Sequence, residues 1–209
     1  IGSTSGNISV TPSNSCGNGT ARTLAITVNT VPAQPSTITG STTPCQGSSQ
    51  TYSVTNVSGV TYTWTVPAGS TITNGQGTNS ITVSIGSTSG NISVTPSNSC
   101  GNGQARQLSV AVLTSPSAAS AIEGNTAVCQ GQNAVIYTVP AIANATSYAW
   151  TLPNGAYGAS LTNSISVNFG LEELSGEITV KGVNDCGEGE EASLFVQVDP
   201  LPEAATLIN

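Results

Sequence analysis

The sequence predicts an all-β protein made of tandem β-sandwich repeats, and three observations support this prediction. Val, Ile and Thr recur at alternating positions between turns rich in Gly, Pro, Asn and Ser, which is the pattern of short β-strands. Only 6% of the 209 residues are charged, whereas disordered polar tracts are usually rich in charge and poor in β-branched residues. Residues 1–19, IGSTSGNISVTPSNSCGNG, return unchanged at 85–103. Such a long period suits a small domain better than one unit of a stacked solenoid.

The repeat divides the chain into four parts. Residues 1–32 correspond to the C-terminal half of a repeat, 33–115 and 116–201 are complete repeats, and 202–209 begin a further one. We call the first part the leading segment and the two complete copies repeat 1 and repeat 2. Because the leading segment matches only half a repeat, we expect this chain to belong to a longer array. Proline-containing joints after the leading segment and after repeat 2 predict semi-rigid spacing, and therefore an extended rod.

Seven short strands are predicted in each complete repeat, a number that suits a β-sandwich. In repeat 1 they are STITG, QTYSVT, VTYTWTV, STIT, SITVSI, NISVT and RQLSVAV. Since side chains alternate across a strand, Tyr62 and Trp64 are expected on the same, core-facing side. Trp150 is the corresponding core tryptophan of repeat 2.

The composition excludes several classes of function. Lys and Arg together number only three, so there is no basic surface for nucleic acid or for an anionic membrane. No apolar run is long enough to insert into a bilayer. The sequence has no His to activate a Ser or Cys nucleophile, and repeat 1 has no Asp or Glu for carboxylate chemistry. We therefore predict no enzyme and no cofactor.

The five cysteines are of two kinds that alternate along the chain. Cys45 and Cys129 each precede a strand, whereas Cys16, Cys100 and Cys186 lie in the turns NSCGNG and NDCGEG. Pairing one of each kind within a repeat predicts the disulfides Cys45–Cys100 and Cys129–Cys186, and leaves Cys16 unpaired in this chain. Zinc binding is not predicted, because there is neither a CxxC motif nor a His. Disulfides indicate an oxidising compartment, hence an extracellular or periplasmic location.

One acidic turn is a candidate ion site. Asp185, Glu188, Glu190 and Glu191 cluster in repeat 2 and offer the oxygen ligands that calcium accepts. The same turn reads NSCGNGQA in repeat 1, where it carries no acid, so a solvated acidic tip is the favoured interpretation. We predict no metal site and keep calcium as the weaker alternative.

Two aromatic residues of repeat 2 have no aromatic counterpart in repeat 1. Tyr157 corresponds to Thr71, and Phe195 corresponds to Ser109. Phe195 is out of phase with the apolar residues of its strand, which predicts exposure and a contact with a sugar or another domain. Packing of both rings at the interdomain joint is the favoured, simpler interpretation.

The order of motifs in each repeat is the most specific signal of all. It reads Cys-Gln-Gly, then Tyr-x-Trp-x-(Val or Leu)-Pro-x-Gly, then Ser-Ile-x-Val, then Ser-Gly-x-Ile-x-Val closed by Asn-x-Cys-Gly. In repeat 1 the motif residues are Cys45, Tyr62, Trp64, Pro67, Gly69, Ile81, Val83, Gly90, Ile92, Val94, Asn98 and Cys100. This order resembles the PKD-like, immunoglobulin-like repeats of very large surface proteins of Bacteroidota.

The resemblance implies a function as well as a fold. It implies immunoglobulin-like sandwiches in a non-enzymatic stalk of a cell-surface adhesin, of the gliding-motility type exported by type IX secretion and attached to the outer membrane of a Gram-negative bacterium. The implied partners are neighbouring repeats of the same parent chain, and surface polysaccharides or the motility machinery.

Two other functions compete with a stalk. Each repeat is alternatively a carbohydrate- or surface-binding module that gains avidity from copy number, although no exposed aromatic platform is shared between the copies. In the third hypothesis the chain ends assemble head to tail into a filament, as donor-strand polymers do. A longer parent chain explains the incomplete ends more simply.

Overall fold

The structure is a computed structural model that describes residues 4–172 and 174–202. The described residues contain eighteen β-strands and no helix, which confirms the all-β prediction; hence none of them belongs to a helix that would cross a membrane. The chain divides into two compact units, Ile1–Ala111 and Val112–Asn209. Apart from Pro202, the predicted start of a further repeat at 202–209 lies outside the described residues.

The strands are numbered in chain order. The leading segment contains β1 (Gly6–Val10), β2 (Ser13–Asn14), β3 (Gly17–Asn18) and β4 (Arg22–Ile26). Repeat 1 contains β5 (Ser49–Ser53), β6 (Thr61–Thr65), β7 (Thr71–Asn74), β8 (Ser80–Ser84), β9 (Gly90–Asn98), β10 (Gly101–Asn102) and β11 (Arg106–Val110). Repeat 2 contains β12 (Ala127–Cys129), β13 (Val135–Thr138), β14 (Ser147–Thr151), β15 (Ser164–Val167), β16 (Gly176–Asn184), β17 (Gly187–Glu188) and β18 (Ala192–Asp199).

Repeat 1 is a sandwich of two antiparallel sheets. One sheet has the order β5-β8-β7, and in the other β9 pairs with β6, β10 and β11. The inward side chains alternate along each strand as predicted: Tyr62 and Trp64 are each 2% exposed, and Ile92 and Val94 are fully buried. The core therefore lies between the two sheets, and the prediction for Trp64 is confirmed.

Repeat 2 has the same architecture, with one strand pairing of a different kind. β13 pairs with β15, and the second sheet has the order β12-β18-β16-β14. β12 and β18 run parallel to each other, whereas the other pairs are antiparallel. Trp150 packs against the core but remains partly exposed, so its predicted core position is confirmed only in part.

One predicted strand is absent. The segment STITG makes only an isolated bridge, between Thr39 and Ser53, and the seventh strand of repeat 1 is the two-residue β10 instead. Gly40 explains the interruption, because its φ is +148° and a Cβ there would lie 2.2 Å from the ring of Tyr52. Only glycine fits against this buried ring, so the chain passes it in a conformation that a regular strand does not use.

The leading segment shows what half a repeat looks like. β1 and β4 form a hairpin with the register that β9 and β11 use in repeat 1, and their sequences are nearly the same. Ile8 is 63% exposed, whereas its counterpart Ile92 is fully buried. Sequence cannot cause this difference, so it arises from the second sheet that covers β9 in repeat 1.

Candidate functional site: the entry clamps and the cysteine turns

The Asn-x-Cys turn of repeat 1 holds the segment through which the chain enters the repeat. The Oδ1 atom of Asn98 accepts a hydrogen bond from the Cys100 N–H at 2.8 Å, a local Asx turn. The Nδ2 group of the same side chain donates to the Thr30 carbonyl, also at 2.8 Å. One side chain therefore shapes the turn and ties residues 30–35, which we call the entry segment of repeat 1, to it.

Repeat 2 repeats this arrangement and adds one bond. Asn184 Oδ1 accepts from the Cys186 N–H at 2.8 Å, and its Nδ2 donates to the carbonyls of Thr114 and Asn144, each at 2.8 Å. Residues 114–119 are the corresponding entry segment. In the leading segment Asn14 keeps only the local bond to the Cys16 N–H among the described residues.

Further hydrogen bonds hold each entry segment against the end of its own repeat. In repeat 1 Gln34 Nε2 donates to the Ala105 carbonyl at 2.8 Å, and Arg106 Nε donates to the Pro35 carbonyl at 3.1 Å. In repeat 2 the Ala119 N–H donates to the Glu190 carbonyl at 3.0 Å. We call these bonds, together with those of Asn98 and Asn184, the entry clamps.

Glycine lets each turn approach its entry segment closely. A Cβ on Gly103 would lie 2.2 Å from the Pro32 carbonyl oxygen, and one on Gly189 would lie 2.6 Å from the Ser117 carbonyl oxygen. Any side chain here would push the entry segment away. The second glycine of the turns NSCGNG and NDCGEG therefore serves the clamp.

The cysteines do not pair as the sequence predicted. Cys100 and Cys129 carry free, exposed thiols, so the predicted disulfides Cys45–Cys100 and Cys129–Cys186 are wrong. Cys45 and Cys186, by contrast, are each disulfide-bonded. Cys16 is free and exposed, as predicted for this chain.

Opposite ends of a long strand keep the two cysteines of repeat 1 apart. The last residue of β11 pairs with the first residue of β9, so the end of β11 lies beside the start of β9. Ala111 directly follows β11 and donates its N–H to the Thr42 carbonyl at 2.8 Å. Cys45, three residues after Thr42, therefore lies near the start of β9. Cys100 lies just beyond the other end of β9. The nine residues of β9 span about 30 Å, whereas a disulfide needs Cα atoms within about 7 Å of each other.

Repeat 2 separates its cysteines in the same way. Cys129 pairs with Asp199 at the end of β18, and the antiparallel register of β18 puts that end beside the start of β16. Cys186 follows the end of β16, which again has nine residues. Neither complete repeat can therefore close a disulfide on itself without rearrangement.

A comparison with family models decides the family. The model of the PKD-like domain matches residues 31–110 and 115–196, which is most of the chain. The chain belongs to the PKD-like domain family. Domains of this fold are typically structural or binding modules without catalytic activity. A search of curated protein sequences finds no match.

Solved structures with a similar chain trace have low sequence identity to this chain. A three-domain fragment of titin, I67–I69 in an E-to-A variant, is 14% identical with a TM-score of 0.49, over 78% of this chain and 65% of that one. The Escherichia coli adhesin FdeC is 14% identical with a TM-score of 0.46, over 95% and 75%. A C-terminal fragment of intimin, in complex with the intimin-binding domain of its translocated receptor, is 15% identical with a TM-score of 0.43, over 78% and 63%.

The acidic turn of the second PKD-like repeat gains no support as an ion site. No group of three or more His, Cys, Asp or Glu is arranged to hold a metal ion in residues 4–172 and 174–202. Glu188 forms an ion pair with Lys181 across β16 and β17, and this hydrogen bond, more than any other influence, raises the pKa of Lys181. Asp185, Glu190 and Glu191 lie on the exposed surface of the same turn region.

The two extra aromatic rings are exposed but are not brought into one platform. Tyr157 is 59% exposed and bridges to Asn168 beside β15, whereas Phe195 is 55% exposed on β18, in the other sheet. Phe195 is exposed, as its phase in the strand predicts, whereas packing of both rings at an interdomain joint, the favoured interpretation, stays a prediction. Because they belong to different sheets, they do not form a shared aromatic surface.

Sequence reasoning missed the entry clamps, although the signal was present. In the sequence, Asn98 and Asn184 are the asparagines of the Asn-x-Cys-Gly motif that closes each repeat. An Asn two residues before a Cys-Gly pair has an unused side-chain N–H₂ once it has formed its Asx turn. The recurrence of that pattern in every copy of the turn was the available indication that this donor has a partner.

Proposed function

We propose that the chain is a non-enzymatic stalk segment of a large bacterial cell-surface adhesin, in which tandem PKD-like repeats provide length and stiffness. The observation that carries this proposal is the entry clamp, found in both complete repeats with the same donor and the same kind of acceptor. A linker that is hydrogen-bonded to the domain it enters bends less freely. A spacer needs such a restrained linker, whereas an independent binding module does not.

The strand order of repeat 2 supports a load-bearing role. Its first strand, β12, pairs in parallel with its last strand, β18, from Ala127–Gln197 to Cys129–Asp199. Backbone bonds from Gln197 to Thr126 and from Gln130 to Asp199 extend this ladder at 2.8 and 2.9 Å. Tension applied to the two ends of parallel terminal strands shears these bonds together, instead of opening them one after another.

The disulfide chemistry supports an extracellular location. Stable disulfides form in oxidising compartments, which for a bacterium means the cell surface, the medium or the periplasm. The low charge also fits a surface exposed to proteases, since the three Lys and Arg residues are the only trypsin sites in 209 residues. A disulfide inside each repeat is not part of the proposal, because the two cysteines of a repeat lie at opposite ends.

The finer assignment rests on the motif resemblance alone. We include in the proposal that the parent protein is an adhesin of the gliding-motility type, exported by type IX secretion in a member of the Bacteroidota and attached to the outer membrane. Its partners would be the neighbouring repeats of the parent chain, surface polysaccharides and the motility machinery.

Single-molecule pulling tests the stalk function directly. The chain is held by its ends in reducing buffer and extended at constant speed. We expect two separate unfolding events, each releasing a repeat of 80 or so residues and hence about 290 Å of contour length. Extension without resolved events would contradict a load-bearing stalk.

The leading hairpin provides a test of the filament hypothesis, the second candidate, although strands of a preceding half-repeat in a longer parent chain would cover the same face equally well. Val10 and Leu24 are 65% and 63% exposed, although their counterparts Val94 and Leu108 are buried or partly buried in repeat 1. Strands from another molecule would cover this face in a head-to-tail filament. Size-exclusion chromatography with light scattering decides: oligomers that dissociate when Val10 is changed to Ser support a filament, and a monomer at all concentrations excludes it.

A further inference from the structure

A glutamine side chain completes the edge of one sheet in repeat 1. Gln76 accepts a hydrogen bond from the Trp64 N–H through Oε1 and donates one from Nε2 to the Trp64 carbonyl, both at 2.9 Å. These are the two backbone groups that a further strand would bond at the edge of β6. The primary carboxamide of Gln76 therefore forms the two hydrogen bonds that one residue of an added strand would form.

Repeat 2 keeps the geometry around its tryptophan but has no such glutamine. Trp64 Nε1 donates to the Thr78 carbonyl at 2.8 Å, and Trp150 Nε1 donates to the Thr162 carbonyl at 2.9 Å. Two residues before each threonine, repeat 1 has its glutamine and repeat 2 has Ser160. The serine side chain is too short to reach the tryptophan backbone.

The backbone edge at Trp150 is consequently open. The Tyr148 N–H donates to the Leu161 carbonyl at 3.2 Å, away from β16. Since alternate residues of a strand direct their polar groups to the same side, Trp150 also directs its N–H and C=O away from β16. Ser160 Oγ donates instead to the Ser164 carbonyl at 2.6 Å, and no described group takes the place of the glutamine.

A cavity of about 720 Å³ lies at this edge. Tyr148 and Trp150 line one side of it, and Gly158, Ala159 and Leu161 line the other. Tyr148 and Trp150 are partly exposed residues, whereas their counterparts in repeat 1 are 2% exposed. The open backbone groups therefore lie at a pocket whose lining residues include two aromatic residues.

We propose that this pocket binds the primary carboxamide of a glutamine presented by a peptide segment of a partner protein. The N–H and C=O of Trp150 require a ligand that presents one hydrogen-bond acceptor and one donor on the same side. A primary amide presents both. The secondary amide of an N-acetylated sugar is trans and directs its N–H and C=O in opposite directions, so it cannot form both bonds. Exposed sheet edges are a common site for such peptide addition.

Nuclear magnetic resonance on the full, isotopically labelled chain tests the proposal with a peptide taken from repeat 1. The probe is TITNGQG, the sequence of residues 71–77 with blocked ends, and its control carries Glu in place of Gln. We expect the Trp150 backbone amide signal to shift and saturate with a dissociation constant on the order of 1 mM. The Glu control accepts from the N–H but cannot donate, so it should bind about tenfold more weakly.

The chain provides its own matched controls. Trp64 should not respond in the wild type, because Gln76 already occupies its edge, and it should begin to respond in Gln76→Ala. Ser160→Gln should abolish the response at Trp150, whereas Ser160→Ala, which removes the hydroxyl without adding a carboxamide, should keep it.

Three results would overturn the proposal. They are equal binding of the Gln and Glu peptides, undiminished binding to Ser160→Gln, and a response of Trp64 equal to that of Trp150 in the wild type. A trimer of N-acetylglucosamine forms a separate arm, and saturable binding of it at Trp150 without peptide binding would replace the peptide site by a sugar site. None of these outcomes affects the stalk function, which depends on the entry clamps.

Discussion

The entry clamps make a graded prediction for three asparagines in equivalent turns. Among the described residues Asn184 makes three hydrogen bonds, Asn98 makes two and Asn14 makes one. A net hydrogen bond contributes about 0.5–1.5 kcal/mol, and these side chains are partly or fully exposed, so the low end applies. Asn184→Ala should cost about 1.5 kcal/mol of unfolding free energy, Asn98→Ala about 1 kcal/mol, and Asn14→Ala about 0.5 kcal/mol.

Urea unfolding of the full chain measures these losses separately in each repeat. Trp64→Phe leaves Trp150 as the only tryptophan, which reports repeat 2, and Trp150→Phe leaves Trp64, which reports repeat 1. The Asn98 and Asn184 variants are each made in the background that reports their own repeat, and Asn14→Ala, in a segment without tryptophan, is made in both backgrounds. The midpoint should fall at constant slope, because the same surface is exposed on unfolding.

The substitution Asn184→Asp isolates the clamp from the local turn. Aspartate keeps an oxygen that accepts from the Cys186 N–H, but it replaces the donor facing the carbonyls of Thr114 and Asn144 with a second acceptor. It should therefore destabilise repeat 2 at least as much as alanine does. If aspartate were neutral, or if all three asparagines cost the same on substitution, the entry segment would not be held by this side chain.

Three further predictions concern burial, thiols and pH. Ile92→Ala should cost about 2–5 kcal/mol in repeat 1, while Ile8→Ala, in an identical local sequence, should leave the urea midpoint unchanged; equal losses would contradict the difference in their burial. Alkylation of the unreduced, folded chain should label Cys100 and Cys129 in a peptide map, and protection of either thiol from alkylation would instead support a disulfide within a repeat. Burial raises the pKa of Tyr137 above 10, so ionisation above about pH 10 favours the unfolded state and the stability of repeat 2 should fall there; Tyr137→Phe should flatten this fall, and an unchanged pH profile would exclude the tyrosine as its cause.

The sandwich was predictable because burial alternates with the strand period. In β6 and β9 every second side chain is buried, so the sequence pattern indicates directly which face of the sheet each side chain occupies. The failure at STITG has a local cause, since the close approach of Gly40 to the Tyr52 ring is a three-dimensional contact that alternation does not encode.

The cysteine pairing failed for a different reason. Spacing along the chain assigned each cysteine correctly to one of two kinds, but it contains no information on which end of a nine-residue strand each kind occupies. Cys45 and Cys100 are at opposite ends of β9, so the regular spacing of 55 residues between them did not indicate proximity. Equal spacing in a repeat array shows equivalence of positions, and contact has to be established from the register of the strands.

The partial exposure of Trp150 was not predictable from its motif. The Tyr-x-Trp motif is the same in both repeats, and the difference lies in the neighbouring segment. That segment is two residues shorter in repeat 2, where Tyr157 to Ser160 replaces Thr71 to Gln76, and the counterpart of β7 is lost. Without the longer segment, the edge of β14 and the two aromatic side chains on it are less covered.

Small-angle X-ray scattering of the monomeric chain tests the stalk function most directly. A compact globule of 209 residues would have a radius of gyration of about 17 Å. Two repeats of about 30 Å each and the leading hairpin, placed end to end, give a rod about 90 Å long with a radius of gyration of about 26 Å. The account predicts the larger value, together with the skewed distance distribution of a rod. A value near 17 Å would contradict it.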